Sequence, residues 1–239
     1  TGLGAFAAAL MLVFKDSILG FVAGVQLSQN DMLRVGDWIV VPSTIANGIV
    51  EDVSLTVVKV RNFDNTLVML PPYTLVSTSF QNWRGMTDSN VWLITREVVI
   101  DNNSVIRCDD KFLERIKQRF PQLCDIIDSD IKYEEGIIGV NGTHESNLGL
   151  FRAYLCDYLI NHKMVSNEWQ ILVSLQNSTN AGTPLQVYCY ALTTDWLKYE
   201  AIQSEIMEHV LFSSNSSEEY MFFRCFVIAG RFVPNNSAI

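Results

Sequence analysis

Residues 2–14 read Gly2-Leu3-Gly4-Ala5-Phe6-Ala7-Ala8-Ala9-Leu10-Met11-Leu12-Val13-Phe14, and Lys15-Asp16 follows at once. The run is apolar and crowded with glycine and alanine. A helix so poor in bulk lets neighbouring backbones approach closely, as membrane helices do with small residues. Gly20 and Gly24 repeat the small-xxx-small spacing. The apolar run stops at the Lys15-Asp16 charges, well short of the ~20 residues a membrane span needs. The reading is therefore a helix interrupted at Lys15 and Asp16, with the upstream part of its span lying before Thr1. Neither an initiator Met nor the basic start of a signal peptide precedes it. Ile18, Leu19, Val22, Val25 and Gln29 follow three- and four-residue spacing, which predicts a second, more amphipathic helix over 17–29. The competing reading of the first segment is a buried helix of a soluble protein.

Downstream the period changes. Arg34-Val35-Gly36-Asp37 reads as a turn. Strands are predicted at 38–41, 48–55, 57–62 and 66–70, with Asp64-Asn65 as the hairpin turn between the last two. Pro71-Pro72 stops the run, because proline cannot donate to a ladder. A short strand near 80–83 completes a five-stranded unit.

The remainder alternates strands and helices. A strand is predicted over 91–100. Asp109 or Asp110 caps a helix whose face carries Phe112, Leu113, Ile116 and Phe120, ended by Pro121. Residues 122–146 look irregular and acidic, and 148–160 helical. Strands at 170–176 and 185–193 are joined by the hairpin segment 177–184. Asp195 caps a long helix striped by Trp196, Tyr199, Ile202, Ile206 and Val210, and 220–229 is the closing strand. With 122–162 set aside as an insertion, the order is βαββαβ, a ferredoxin-like pattern.

Composition narrows the function. A net charge of −9 over 239 residues argues against a nucleic-acid surface, which needs clustered Lys and Arg. Trp38, Trp83 and Trp92 are read as packing groups, not as a base-stacking platform. The five cysteines are scattered and odd in number, with no CxxC, and read as reduced, buried thiols. His144, His162 and His209 lie far apart and read as ordinary surface histidines, and no metal site is expected. No Walker A, GxGxxG or GxSxG motif occurs. Asp109-Asp110 reads as a helix cap and Glu134-Glu135 as a solvated loop. No enzyme and no cofactor are expected. Lys15 and Asp16, beside a membrane helix, are candidate functional charges or simply its aqueous end.

The run Lys15-Asp16-Ser17-Ile18-Leu19-Gly20-Phe21-Val22-Ala23-Gly24-Val25 resembles the pore-lining helix of the MscS-like mechanosensitive channels. Arg34-Val35-Gly36-Asp37-Trp38-Ile39 resembles the start of that family's β domain, and Ser79-Phe80-Gln81-Asn82-Trp83 its end. Residues 147–154 and 183–188 resemble the miniconductance branch, which carries an insertion in its cytoplasmic domain. The resemblance implies a pore-lining membrane helix with its amphipathic continuation (1–30), a small five-stranded Sm-like β domain (31–84) and a ferredoxin-like α/β cytoplasmic domain with an insertion (85–239). It implies a homoheptamer in the bacterial inner membrane, with residues after about 30 in the cytoplasm. It further implies opening under membrane tension, with passage of ions and small solutes in hypo-osmotic shock. The alternative function is a soluble or peripheral binding module built from an Sm-like barrel and a ferredoxin-like domain.

The resemblance also assigns residues. Ala8 and Leu12 match the positions where better-known members carry two leucine rings, so one ring here is small. Lys15 and Asp16 fall near the cytoplasmic mouth. Asp16 stands where the family's best-known kink is a glycine, which leaves Gly20 and Gly24 as the positions for bending or close packing. On a 3.6-residue helix, Leu3, Phe6, Leu10 and Val13 share one face, and Ala5, Ala8 and Leu12 lie roughly opposite.

Overall fold

The computed structural model describes residues 2–128, 142–215 and 227–231. The chain divides into two compact units that meet in sequence between Ser89 and Asn90.

The first unit opens with helix α1, Gly2–Gln29, which runs without interruption. This corrects the expected break at Lys15-Asp16. A single lysine and a single aspartate carry ordinary helix propensities, and proline, which costs about 3 kcal/mol, is absent from this stretch. The helix ends where Asp31 takes a left-handed backbone (φ 51°). The amide of Met32 then donates to the carbonyl of Leu27 at 3.2 Å, closing the last turn as helix C-caps do.

Strands β1 (Trp38–Val40), β2 (Asn47–Val53), β3 (Val58–Asn62), β4 (Leu67–Leu70) and β5 (Gln81–Asn82) form an antiparallel sheet of order β4-β3-β2-β1-β5. Alternation decides which side chains turn inward. Val50, Val58, Val60 and Leu70 are buried with Ile39, Val41, Ala46 and Leu75. Leu27 from α1 and Leu33 from the segment after it belong to the same core. The turn that leads into β1 uses Gly36 at φ 97°, and its amide bonds to the carbonyl of Val50 at 2.8 Å. Asn65 supplies the left-handed residue of the β3–β4 hairpin (φ 68°).

Two short helices, α2 (Pro72–Ser77) and α3 (Arg84–Ser89), were not visible in the sequence pattern. Pro71-Pro72 ends β4 as expected and also starts α2, since proline fits the first helical position.

The second unit is built on β6 (Trp92–Ile100), β7 (Leu172–Leu175), β8 (Thr183–Ala191) and β9 (Val227–Arg231), in the order β7-β8-β6-β9 with every neighbour antiparallel. That is the strand order of a ferredoxin-like sheet. Residues 220–226 of the expected closing strand lie outside the described residues, as do Glu134 and Glu135.

The helices are α4 (Asp110–Arg119), α5 (Cys124–Asp128), α6 (Asn147–Ile160) and α7 (Trp196–Asn215). Asp109 caps α4 by accepting from the Phe112 amide at 2.7 Å, and Asp195 caps α7 through the Lys198 amide at 2.9 Å. Helix α5 falls in a stretch expected to be irregular. The most buried helix is α6, with Leu150, Phe151, Leu155 and Leu159 fully enclosed. The Nε of its Arg152 donates to the carbonyl of Val173 on β7 at 2.9 Å. A helix set aside as insertion is thus central to the core of this unit.

Candidate functional site

The six residues singled out from sequence all lie on α1, and the structure gives that helix two unlike halves. From Phe6 to Ile18 its side chains are exposed, with Leu12 at 76%. Ala8, Lys15 and Asp16 share this exposed stretch. At the other end Ala23 and Leu27 are buried, the latter completely. By length and composition α1 can cross a membrane from Phe6 to Gln29. It differs from the core helix of a soluble protein in leaving nearly all of that stretch uncovered. The apolar side chains that water would expel are those that nothing among the described residues covers.

The two glycines differ. A β-carbon on Gly20 would meet nothing within 4 Å, whereas one on Gly24 would meet the backbone of Leu55, in the β2–β3 turn, at 2.6 Å. Gly24 therefore serves close packing of α1 on its own β domain. Any side chain at Gly24 would have to displace that backbone.

A group of polar residues that the sequence reading missed fixes the end of α1 to the sheet. Asp37, at the start of β1, is 8% exposed. The Arg84 guanidinium grips it as a fork, Nε to Oδ1 at 3.0 Å and Nη2 to Oδ2 at 2.5 Å. The Asn82 amide and the Arg34 backbone N–H also donate to Asp37 Oδ2, at 2.8 and 2.9 Å. Burial alone would raise the Asp37 carboxyl, but these donors hold it below the usual carboxylate range. The third nitrogen of Arg84, Nη1, donates to the main-chain oxygen of Asp31 at 3.1 Å and reaches its carboxylate at 3.3 Å. Asn82 donates to the Met32 carbonyl at 3.3 Å. These carbonyls follow directly on the helix end, where backbone acceptors lack intrahelical partners. Asp31 also pairs with Arg34. Asp37 and Asn82 lie inside the stretches whose resemblance was noted, but nothing in the sequence linked them to Asp31 or Arg84.

Two of the three histidines are not isolated surface groups, which corrects the sequence reading. His209 on α7 stacks on Tyr158 of α6, centroids 3.7 Å apart. Its Nε2 lies 2.9 Å from the Tyr154 hydroxyl. His162 meets the edge of Tyr158 and approaches Glu205 at 3.7 Å. Burial, together with the neighbouring His162, lowers the pKa of His209. The cysteines also differ from expectation. Cys156 and Cys189 are buried, Cys108 and Cys124 only half so, and Cys225 lies outside the described residues. Burial pushes the Cys189 thiol up to about 12. Among the described residues no three of His, Cys, Asp or Glu are grouped to hold a metal ion.

The tryptophans are packing groups. Trp38 stacks on Trp83 with centroids 4.9 Å apart and meets the edge of Phe63, while Trp92 stacks on Tyr199 at 4.4 Å.

Comparison with known proteins decides the family. Residues 16–85 match the family model described as the β domain of mechanosensitive ion channels. Residues 138–213 match that of the C-terminal region of the mechanosensitive channel MscS. The chain belongs to the MscS-like mechanosensitive channel family. Within it, the chain is 33% identical over 81 residues to the small-conductance mechanosensitive channel MscMJ of Methanocaldococcus jannaschii, covering 34% of this chain and 23% of that protein. It is 21% identical over 192 residues to the low conductance mechanosensitive channel YnaI of Escherichia coli, covering 80% of this chain and 43% of that one. The chain thus spans less than half the length of these MscS-like relatives.

Solved structures agree on the fold. The closed-state crystal structure of Helicobacter pylori MscS superposes with a TM-score of 0.58 at 15% identity, covering 88% of this chain and 65% of that one. The cryo-EM structure of Arabidopsis thaliana MSL1 gives 0.56 at 14%, covering 88% and 59%. The apolar helix, the β sheet and the ferredoxin-like unit follow one another along the chain as in an MscS-like fold.

Proposed function

We propose that this chain is the pore helix and adjoining aqueous region of an ion channel opened by membrane tension, releasing ions and small solutes in hypo-osmotic shock. The observation that carries this reading is the division of α1. Its first half is apolar and uncovered, and its end is built into the β core through Ala23, Gly24 and Leu27. One half suits lipid and neighbouring copies, and the other suits a soluble ring beneath. Copies of the chain assemble around a common axis as a closed homoheptamer, with the first half of α1 in a bacterial inner membrane and residues after about 30 in the cytoplasm. Small residues on one side of α1 allow neighbouring helices to approach.

The mechanism is physical and makes or breaks no covalent bond. Tension favours whichever state occupies more area in the membrane plane, so it shifts a closed–open equilibrium toward the wider pore. Ala8 and Leu12 face the axis, Lys15 and Asp16 lie near the cytoplasmic mouth, and an apolar ring at Leu12 blocks ions by excluding water. The branch of the family with an insertion in its cytoplasmic domain is the one we favour, on the motifs at 147–154 and 183–188.

Patch-clamp recording of the reconstituted full-length protein tests the reading. Suction should open channels in a graded, reversible manner. A detergent-independent, monodisperse monomer that passes no current under suction would instead support the binding-module alternative.

A further inference from the structure

We infer that Arg84 is a positioning residue that ties the end of the pore helix to the first strand of the β domain, and so sets the tension at which the channel opens. The inference rests on the function proposed above and goes beyond it, since neither the pore residues nor the fold assigns Arg84 a part.

The geometry is a two-sided grip. Nε and Nη2 of Arg84 hold the buried carboxylate of Asp37 at 3.0 and 2.5 Å. The remaining nitrogen, Nη1, holds the main-chain oxygen and carboxylate of Asp31, two residues beyond α1, at 3.1 and 3.3 Å. Only a planar, five-donor guanidinium can occupy both sides at once; an ammonium is a single point of charge. Arg84 itself opens α3, directly after β5, so its position is set by the strand that closes the sheet against β1. Asn82 braces the same joint by donating to both Asp37 and the Met32 carbonyl. The left-handed Asp31 marks the point where the chain leaves the helix. A helix whose exit is held at Asp31 and Met32 in this way enters the sheet at one angle. Separation or rotation of the pore helices requires that angle to change, so the grip opposes opening.

Arg61, which pairs with Glu51 on the outer face of the same sheet and does not reach α1, is the control. In reconstituted full-length channels, Arg84→Gln and Asp31→Asn should each lower the opening tension. At a tension far enough below the wild-type midpoint that few channels are open, open probability should rise about fivefold, the factor a single modest interaction is worth. The double variant should fall short of the sum of the two single shifts, because residues acting through one contact are not additive, although Asp31→Asn also gives up the pair with Arg34. Arg84→Lys should be intermediate, and Arg61→Gln should keep the wild-type threshold.

Hydrogen exchange gives a second reading that does not depend on channel activity. The amides of Asn30 and Met32, bonded to Gln26 and Leu27 at 3.0 and 3.2 Å, should exchange faster in Arg84→Gln and Asp31→Asn, while those of β2 and β3 keep their protection. Unchanged protection at 30–32, or additive threshold shifts in the double variant, would overturn the inference. A wild-type protein without tension-activated current would overturn the proposed function instead. Should Arg84→Gln fail to assemble, Arg84→Lys and Asp31→Asn carry the same test.

Discussion

A β-carbon on Gly24 would sit 2.6 Å from the carbonyl oxygen of Leu55 and 2.8 Å from its Cα. No side chain end can yield there, because the obstacle is backbone. Gly24→Ala should therefore push α1 off the β2–β3 turn and destabilise the protein by about 1–3 kcal/mol, the usual cost of overpacking. Gly20 has open space around its would-be β-carbon. Gly20→Ala should leave stability unchanged or raise it by up to about 1 kcal/mol through helix propensity. Thermal unfolding of the two variants in detergent checks this. Equal melting temperatures would mean that the Gly24–Leu55 contact is not maintained.

Asp37 should make the β domain acid-sensitive. Its donors hold the carboxyl below the ordinary range despite burial. A depressed carboxylate contributes stability that is fully present above the unfolded value, near 4, and is lost as pH falls through the folded value. Denaturant unfolding at pH 7 should show Asp37→Asn less stable by about 2 kcal/mol, in the range for hydrogen bonds to a charged group. Near pH 2 the wild type should approach the variant. A gap that stays constant with pH would show that the charge on Asp37 contributes nothing.

The pair of helices α6 and α7 should weaken in mild acid. His209 has its pKa lowered by burial and by His162, partly offset by Glu205. Tyr154 and Tyr158 flank it, and Asp157 lies beside Tyr154. A lowered histidine binds fewer protons folded than unfolded, so stability rises with pH through that window. Stability should fall as pH drops below about 6.5, the unperturbed value, and His209→Gln should flatten that slope. Hydrogen exchange of α6 and α7 between pH 7 and pH 5 provides the measurement. An identical slope in the variant would assign the effect to other groups.

Much of this architecture is legible in the residues, and the parts that are not share a cause. Strand β3 alternates and β6 is rich in apolar and β-branched residues, enough for each to be read to within a residue. Helices α4 and α7 announce themselves through Asp109 and Asp195, whose carboxylates do cap them. Helices α2, α3 and α5 are five or six residues long, too short to display a 3.6-residue period. Lys15-Asp16 looked like an interruption because charge ends an apolar run, yet charge does not end a helix. The grip of Arg84 on Asp31 and Asp37 joins residues about fifty positions apart, and the stacking of His209 on Tyr158 does the same. No spacing rule connects them; only the paths of the strands and helices do. Of the six residues proposed on α1, Ala8 and Leu12 share a face that helix spacing shows, but which face meets an axis depends on neighbouring copies.

That face can be decided by substitution. Leu10 and Leu12 are both exposed in the isolated chain, at 42% and 76%, so lipid or other copies must cover both in the proposed assembly. They point to nearly opposite sides of α1, since two residues advance a helix by about 200°. The side carrying Leu10 also carries Phe6 and Val13, and such bulk suits lipid or further membrane helices. The side carrying Leu12 also carries Ala8, whose small side chain leaves room along an axis. Leu12 is then the large apolar group facing the pore, one turn before Lys15. A ring of leucines forms a constriction too apolar to hold water, and a dry constriction stops ions without a plug. Leu12→Ser should wet that ring, so channels leak at low tension and cells expressing the variant grow slowly. Leu10→Ser should place its hydroxyl away from the axis and produce no leak. Ala8→Leu should add a second ring and raise the tension needed for opening. A Leu12→Ser channel with the wild-type threshold, or a leak from Leu10→Ser in its place, would turn the helix around and move the gate to the other face.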